Sequence, residues 1–237
     1  MNACRMGKRC PHRLSGKGSA GHLRIVVTAG PTREHLDPVR FLSNPSTGKM
    51  GFAIAAEAAR RGHDVTLIAG PVALKTPKGV KRVDVVSARE MLVAALERCS
   101  SPSRPTVFIA TAAVADWRPA KCAAKKLKKG EMSGVLKLVR NPDILKTVDS
   151  CRKRSKAVGL RLVGFAAETD HVLAEAARKC REKGLSFIVA NDVTQKGCGF
   201  GTDTNRVTFV FPDGTLKKFP LMTKRMVAKN IIREIEK

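Results

Sequence analysis

Residues 43 to 51, SNPSTGKMG, bring hydroxyls, an amide, a lysine and two glycines together just ahead of an alanine-rich run. Ser43, Asn44, Ser46 and Thr47 precede a predicted helix that opens at Gly48. The unpaired N–H groups and positive dipole end of such a helix attract an anion, although the same four side chains are also good N-caps. Asn141-Pro142-Asp143 repeats the theme, with Asn141 as the cap and Pro142 at the first helical position. Lys125, Lys126, Lys128 and Lys129 crowd one segment, where like charges repel unless solvent or a polyanion relieves them. Lys179 and Lys183 stand four apart and share one helix face, where they can reach a triphosphate or simply face water. Together these residues suit the holding of phosphates rather than nucleophilic attack.

Other chemistries fit less well. No G-x-G-x-x-G follows the first predicted strand, and Lys49 lacks both the following Ser or Thr and the correctly spaced glycine of a Walker A loop. A chain with no tyrosine cannot carry the catalytic tyrosine of a short-chain reductase. His12, His22, His35, His63 and His171 accompany no Gly-x-Ser-x-Gly elbow, so covalent catalysis is not expected. Cys4, Cys10 and His12 lie near one another but fall short of a four-ligand zinc set, and no metal ligands are assigned.

The elements that must position these residues alternate along the chain. Strands are predicted at 24–29, 64–69, 81–86, 106–112, 161–167 and 185–190, all short, β-branched and bounded by turn residues. Helices are predicted at 48–62, 87–99, 142–154 and 170–184, with Val227, Ile231 and Ile235 giving a closing helix its apolar stripe. This pattern implies an α/β fold, a doubly wound, mostly parallel Rossmann-like sheet. A late β-hairpin is expected at 206–219, with Asp213-Gly214 supplying the positive φ angles of its turn. The segment 118–134 reads as a long loop. Ligands bind at the carboxyl ends of strands in such sheets, and that is where the polar, glycine-bearing segments fall.

The 237 residues suffice for one domain at 24–237 behind a basic, disordered arm at 1–23. No stretch reaches the roughly 18 to 20 apolar residues of a membrane span, so a soluble, cytoplasmic protein without a membrane partner is expected. The odd, scattered set of seven cysteines fits reduced thiols. The net charge of +25 leaves a choice between nucleic acid, an anionic small substrate and mere solubility. With no Tyr and one Trp the chain lacks the stacking residues of a single-strand binder, and nucleic acid is not favoured.

Six stretches add a more specific signal: AGPTREHLDPVRFLSNPSTGKMGFAIA, AAVADW, KKLKK, NPDIL, GFAAET and ANDV. In this order they resemble phosphopantothenoylcysteine synthetase, also called phosphopantothenate-cysteine ligase, over residues 24 to about 235. The resemblance is to the bacterial form, standing alone without the fused flavin-dependent decarboxylase. It implies a reaction in two steps. The carboxylate of 4'-phosphopantothenate attacks the α-phosphorus of CTP to give an acyl-cytidylate and pyrophosphate, and the amine of L-cysteine then displaces CMP. It also implies Mg2+ on the triphosphate, a homodimer, and a separate phosphopantothenoylcysteine decarboxylase as functional partner.

By the same resemblance, Asn44 secures the acyl-cytidylate for cysteine, and Arg40, with Ser43, Ser46 and Gly48, contacts substrate. Lys126 serves cytidylate formation and contacts the nucleotide. Ala110, Thr111, Ala112, Asp116, Pro142, Asp143, Ile144, Leu145, Phe165, Lys179 and Lys183 match the remaining nucleotide contacts. Members of that family often have His and Ser where this chain has Pro45 and Thr47, a change beside Asn44 that bears on phosphopantothenate affinity and not on reaction type.

Overall fold

The computed structural model describes residues 22–99, 104–128, 130, 134–155, 159–168, 171–192, 194–195 and 197–237. Most of the basic arm, with Cys4, Cys10 and His12, lies outside them. In chain order the elements are β1 (Arg24–Ala29), β2 (Arg33–His35), β3 (Phe41–Ser43), α1 (Lys49–Arg60), β4 (Asp64–Ala69), β5 (Val80–Asp84) and α2 (Ala88–Cys99). There follow β6 (Thr106–Ala110), β7 (Trp117–Pro119), β8 (Leu138–Arg140), α3 (Ile144–Arg154), β9 (Leu160–Glu168), α4 (Val172–Glu182) and β10 (Phe187–Asp192). The chain ends with β11 (Thr204–Asn205), β12 (Val207–Val210), β13 (Leu216–Lys218), β14 (Met222–Thr223) and α5 (Lys224–Ile235).

The main sheet runs β13-β12-β10-β9-β6-β1-β4-β5. From β5 to β10 the pairs are parallel, and β12 and β13 extend the edge in antiparallel fashion. This is the expected α/β Rossmann-like sheet with its late hairpin. Strand periodicity sorts the core into two layers. Ile25, Val27 and Ala29 of β1 pack toward α1 and α5, while Val26 packs toward α2, α3 and α4. Helices thus cover both faces, which is why the strands read as nearly unbroken apolar runs. Phe52 and Ile54 fix α1 on its face of the sheet, each side chain contributing about 1.5–3 kcal/mol by burial. Among the described residues, no helix is long and apolar enough to cross a membrane.

Three expectations need correction. The helix expected from 142 begins at Ile144, and its N-cap is Asp143, whose carboxylate accepts from the Lys146 amide at 3.0 Å. Asn141 has other bonds, its Nδ2 donating to Ala115 O at 2.8 Å and its backbone amide to Asp116 O at 2.8 Å. In the hairpin turn only Gly214 takes a positive φ, 88°. Phe211 N donates to Thr215 O, which makes a three-residue loop rather than a two-residue turn built on Asp213-Gly214. Finally, the segments that leave β1 and β6, where no strand is predicted, carry two antiparallel ribbons, β2 with β3 and β7 with β8. Three-residue strands are too short to show a period.

Candidate active site

The order of parallel strands reverses between β1 and β6, and the segments leaving their carboxyl ends enclose a cavity of about 770 Å³. Asn44 and residues 46–51 line it after β1, residues 110–117 after β6, and residues 140–145 after β8. Phe165, Ala166 and Ala167 of β9, Lys179 and Lys183 at the end of α4, and Asn191 of β10 complete the far wall. Gly199, Phe200, Asn205 and Lys224 close the side next to α5.

The start of α1 faces this space without a side-chain cap. Gly48 is the N-cap residue at φ 78°, in the left-handed region that favours glycine. Ser43 donates its hydroxyl to Thr32 O at 2.8 Å, and Ser46 Oγ accepts from Gly48 N at 3.4 Å, so neither caps the helix. The first intrahelical bond runs from Phe52 N to Gly48 O. The amides of Lys49, Met50 and Gly51 precede it and stand ready for an anion.

The loops after β1 and β6 are tied to each other. Asn44 Nδ2 donates to Ala113 O at 3.0 Å and Val114 O at 3.2 Å, which occupies both amide hydrogens and leaves Oδ1 as its remaining polar atom. Ala115 N donates to Thr32 Oγ1 at 3.0 Å, and the Thr111 hydroxyl donates to Thr28 O. On the far wall Lys183 pairs with Asp143 at 2.8 Å. Burial opposes ionisation of Asp143, but the Lys146 amide and the Lys183 charge outweigh it and hold the carboxyl below its ordinary range. Among the described residues, Lys49, Arg140, Lys179, Lys183 and Lys224 share the cavity with two carboxylates, Asp116 and Asp143, and no histidine or cysteine lines it. A cationic, amide-lined crevice of this kind stabilises phosphate charge.

Most of the residues named from sequence meet here: Asn44, Ser46, Gly48, Ala110, Thr111, Ala112, Asp116, Pro142, Asp143, Ile144, Leu145, Phe165, Lys179 and Lys183. Arg40, Ser43 and Lys126 do not line the cavity. Arg40 clamps Asp37 through Nε at 3.0 Å and Nη2 at 2.6 Å, and Leu127 N reaches the same carboxylate oxygen at 3.2 Å. With Ala123 N bonded to Leu36 O at 2.8 Å, this holds the segment carrying Lys126 against the 36–40 turn. Sequence reading missed Asn191, Lys49, Arg140 and Lys224. Asn191 is 8% exposed, and its Oδ1 has no partner among the described residues. The available signal was its place at the carboxyl end of a strand, inside ANDV.

The Asp37 clamp predicts a pH-dependent attachment. The Arg40 guanidinium, against the opposing effect of burial and aided by the Val39, Arg40 and Leu127 amides, holds this carboxyl well below the usual carboxylate range. Its stabilisation is complete above the ordinary carboxylate pKa of about 4 and is lost as pH falls below it toward the folded value. Asp37→Asn offers one acceptor oxygen where two are used, so amide exchange at Leu127 and Ala123 should accelerate in the variant at neutral pH. In the unaltered protein the same loss of protection, taken relative to the intrinsic exchange rate at each pH, should appear only in acid, and equal protection in both at neutral pH would refute the clamp.

Such a cavity at the switch point of this sheet defines an α/β domain with a cationic, amide-lined crevice. Residues 20–237 match the family described as DNA/pantothenate metabolism flavoprotein C-terminal domain, and the chain belongs to that family. It is 48% identical over 217 residues to the coenzyme A biosynthesis bifunctional protein CoaBC of Escherichia coli strain K12, covering 90% of this chain and 52% of that protein. Identity to CoaBC of Bacillus subtilis strain 168 is 46% over 212 residues, with 89% and 50% covered. The chain thus spans about half the length of these relatives. Among solved structures, the C-terminal domain of CoaBC superposes with a TM-score of 0.75 at 41% identity, covering 92% of this chain and 97% of that one. The DNA/pantothenate metabolism flavoprotein of Streptococcus pneumoniae gives 0.73 at 26% identity, with 90% and 98% covered.

Proposed function

We propose that this domain joins 4'-phosphopantothenate to L-cysteine at the expense of CTP, through an acyl-cytidylate, as a phosphopantothenate-cysteine ligase of coenzyme A biosynthesis. The observation that carries this reading is the cavity itself, where Asn44, the open amides of α1, Asp116, Lys179 and Lys183 converge, with no histidine or cysteine among the described residues that line it. In the first step the substrate carboxylate forms a bond to the α-phosphorus and pyrophosphate leaves. The protein's task there is to align the two anions and neutralise charge, which the lysines and helix amides are placed to do. In the second step the cysteine amine bonds to the acyl carbon, the acyl C–O bond breaks, CMP departs and the amine gives up a proton. The free Oδ1 of Asn44 suits that step, accepting a hydrogen bond from the amine and so aiming its lone pair.

Lys126 is proposed for cytidylate formation by the resemblance alone, since its segment is tied to the 36–40 turn. Mg2+ is proposed as a companion of the triphosphate. It binds through substrate phosphates, waters and one or two carboxylates, and Asp116 supplies a cavity carboxylate for which the described residues hold no ion-pair partner. A homodimer is supported by the exposed apolar side chains Val39, Phe41, Trp117 and Leu138 on and beside the two short ribbons. The reading is tested by incubating the protein with CTP, 4'-phosphopantothenate, cysteine and Mg2+, with ATP in parallel. Pyrophosphate and the amide should form with CTP; no pyrophosphate with either nucleotide would reject it.

A further inference from the structure

The side of the cavity next to α5 carries charge that neither the sequence motifs nor the proposed steps use. Lys224, the first residue of α5, is 8% exposed and lines the cavity. Its ammonium donates to Gly199 O at 3.2 Å, and no carboxylate among the described residues forms an ion pair with it. Lys49, the first residue of α1, bonds Gly201 O at 2.9 Å and Asp203 Oδ1 at 2.7 Å. Two helix starts therefore each present a lysine to one glycine-bearing stretch, 199–203, at the cavity wall. Lysine is rarely buried unless it is paired. Here burial disfavours the charged form of Lys224, and the neighbouring Lys49 charge acts in the same direction against a weaker opposing pull from Asp203. The nearby α5 start cannot substitute as an anion site, because Thr223 Oγ1 already accepts from Met226 N at 3.3 Å. Asp203, the carboxylate of this corner, is bonded to Lys49, and among the described residues none is bonded to Lys224.

We propose that Lys224 and the open amides of Lys49, Met50 and Gly51 form a subsite for the diphosphate end of a nucleoside triphosphate, and hold pyrophosphate once it is cleaved. The inference rests on the nucleotide-dependent reading for its place in the reaction, but not for its test. A diphosphate here accepts charge-assisted hydrogen bonds from Lys224 and lies at the positive end of α1. It also relieves the repulsion between the two ammonium groups. A purely structural role predicts the opposite balance, with Lys224 present only to hold Gly199.

Lys224→Met keeps the length of the side chain and removes the buried charge, so the two roles give opposite results. Calorimetric titration with inorganic pyrophosphate should show binding to the unaltered chain and about 10- to 100-fold weaker binding to Lys224→Met. The melting temperature of the variant without pyrophosphate should equal or exceed that of the parent, and Lys224→Arg should retain most of the affinity. No pyrophosphate binding by the parent, or unchanged affinity in Lys224→Met, overturns the proposal, as does a variant that melts lower yet binds normally. Titration with 4'-phosphopantothenate alone separates the second source of phosphate: a loss confined to that ligand assigns the corner to the acid substrate and also overturns it. If pyrophosphate affinity falls as expected while no CTP-dependent amide forms, the subsite stands and the ligase reading fails. If ligation proceeds while Lys224→Met binds pyrophosphate and nucleotide as the parent does, the ligase reading stands and the subsite fails.

Discussion

Asn44→Asp is expected to slow amide formation by about 100- to 1,000-fold while pyrophosphate release continues, so that the acyl-cytidylate accumulates. In the proposed reaction the first half draws on the lysines and the helix amides, none of which this substitution removes, and the second half draws on the residue itself. Asn44 Nδ2 donates to Ala113 O and Val114 O, and a carboxylate can donate to neither. Its second oxygen would instead face two carbonyl oxygens, pushing apart the loops after β1 and β6. A negative charge at this point also favours the ammonium form of the incoming cysteine, which has no lone pair to offer. Quenched-flow sampling with radiolabelled CTP reads both halves in one experiment. Rapid amide formation by Asn44→Asp, or loss of pyrophosphate release at the outset, would remove Asn44 from the second step.

Gly70→Ala should cost about 3 kcal/mol of stability and lower the melting temperature by roughly 6–12 °C. A Cβ at Gly70 would lie 1.7 Å from Pro31 O and 2.9 Å from Pro31 C, both backbone atoms with no rotamer by which to escape. The two strand ends are also fastened together, since Gly70 N donates to Ala29 O at 2.9 Å. Pro31 bridges to Ala113, the residue whose carbonyl Asn44 grips, so the clash is transmitted into the cavity. Denaturant unfolding should therefore show a lower midpoint, and pyrophosphate affinity should fall with it. A midpoint within experimental error of the parent would mean that the chain ahead of β2 shifts freely, contrary to the packing described.

The sequence by itself determined the layers and the kind of chemistry. Runs such as RIVVTA and DVTLIA are apolar at nearly every position because both faces of those strands are covered, and that local constraint is written residue by residue. The carboxyl-end segments were legible for a related reason: polar, glycine-bearing stretches after buried strands have few other uses. Tertiary structure decided which of these segments meet. Lys183 and Asp143 are 40 positions apart in the chain and 2.8 Å apart in space, whereas Lys126, next to the Leu127 amide that bonds Asp37, stays outside the cavity. It also decided that Asp143 rather than Asn141 caps α3, because Asn141 bonds to a carbonyl 26 residues away. Lys224 shows the limit most plainly. Thr223-Lys224 reads as an ordinary capped helix start, and only the packing of α5 beside α1 turns its ammonium into a buried charge at the cavity wall. Period and composition report what a residue does for its own element, while a charge's solvation depends on neighbours that the chain brings from far away.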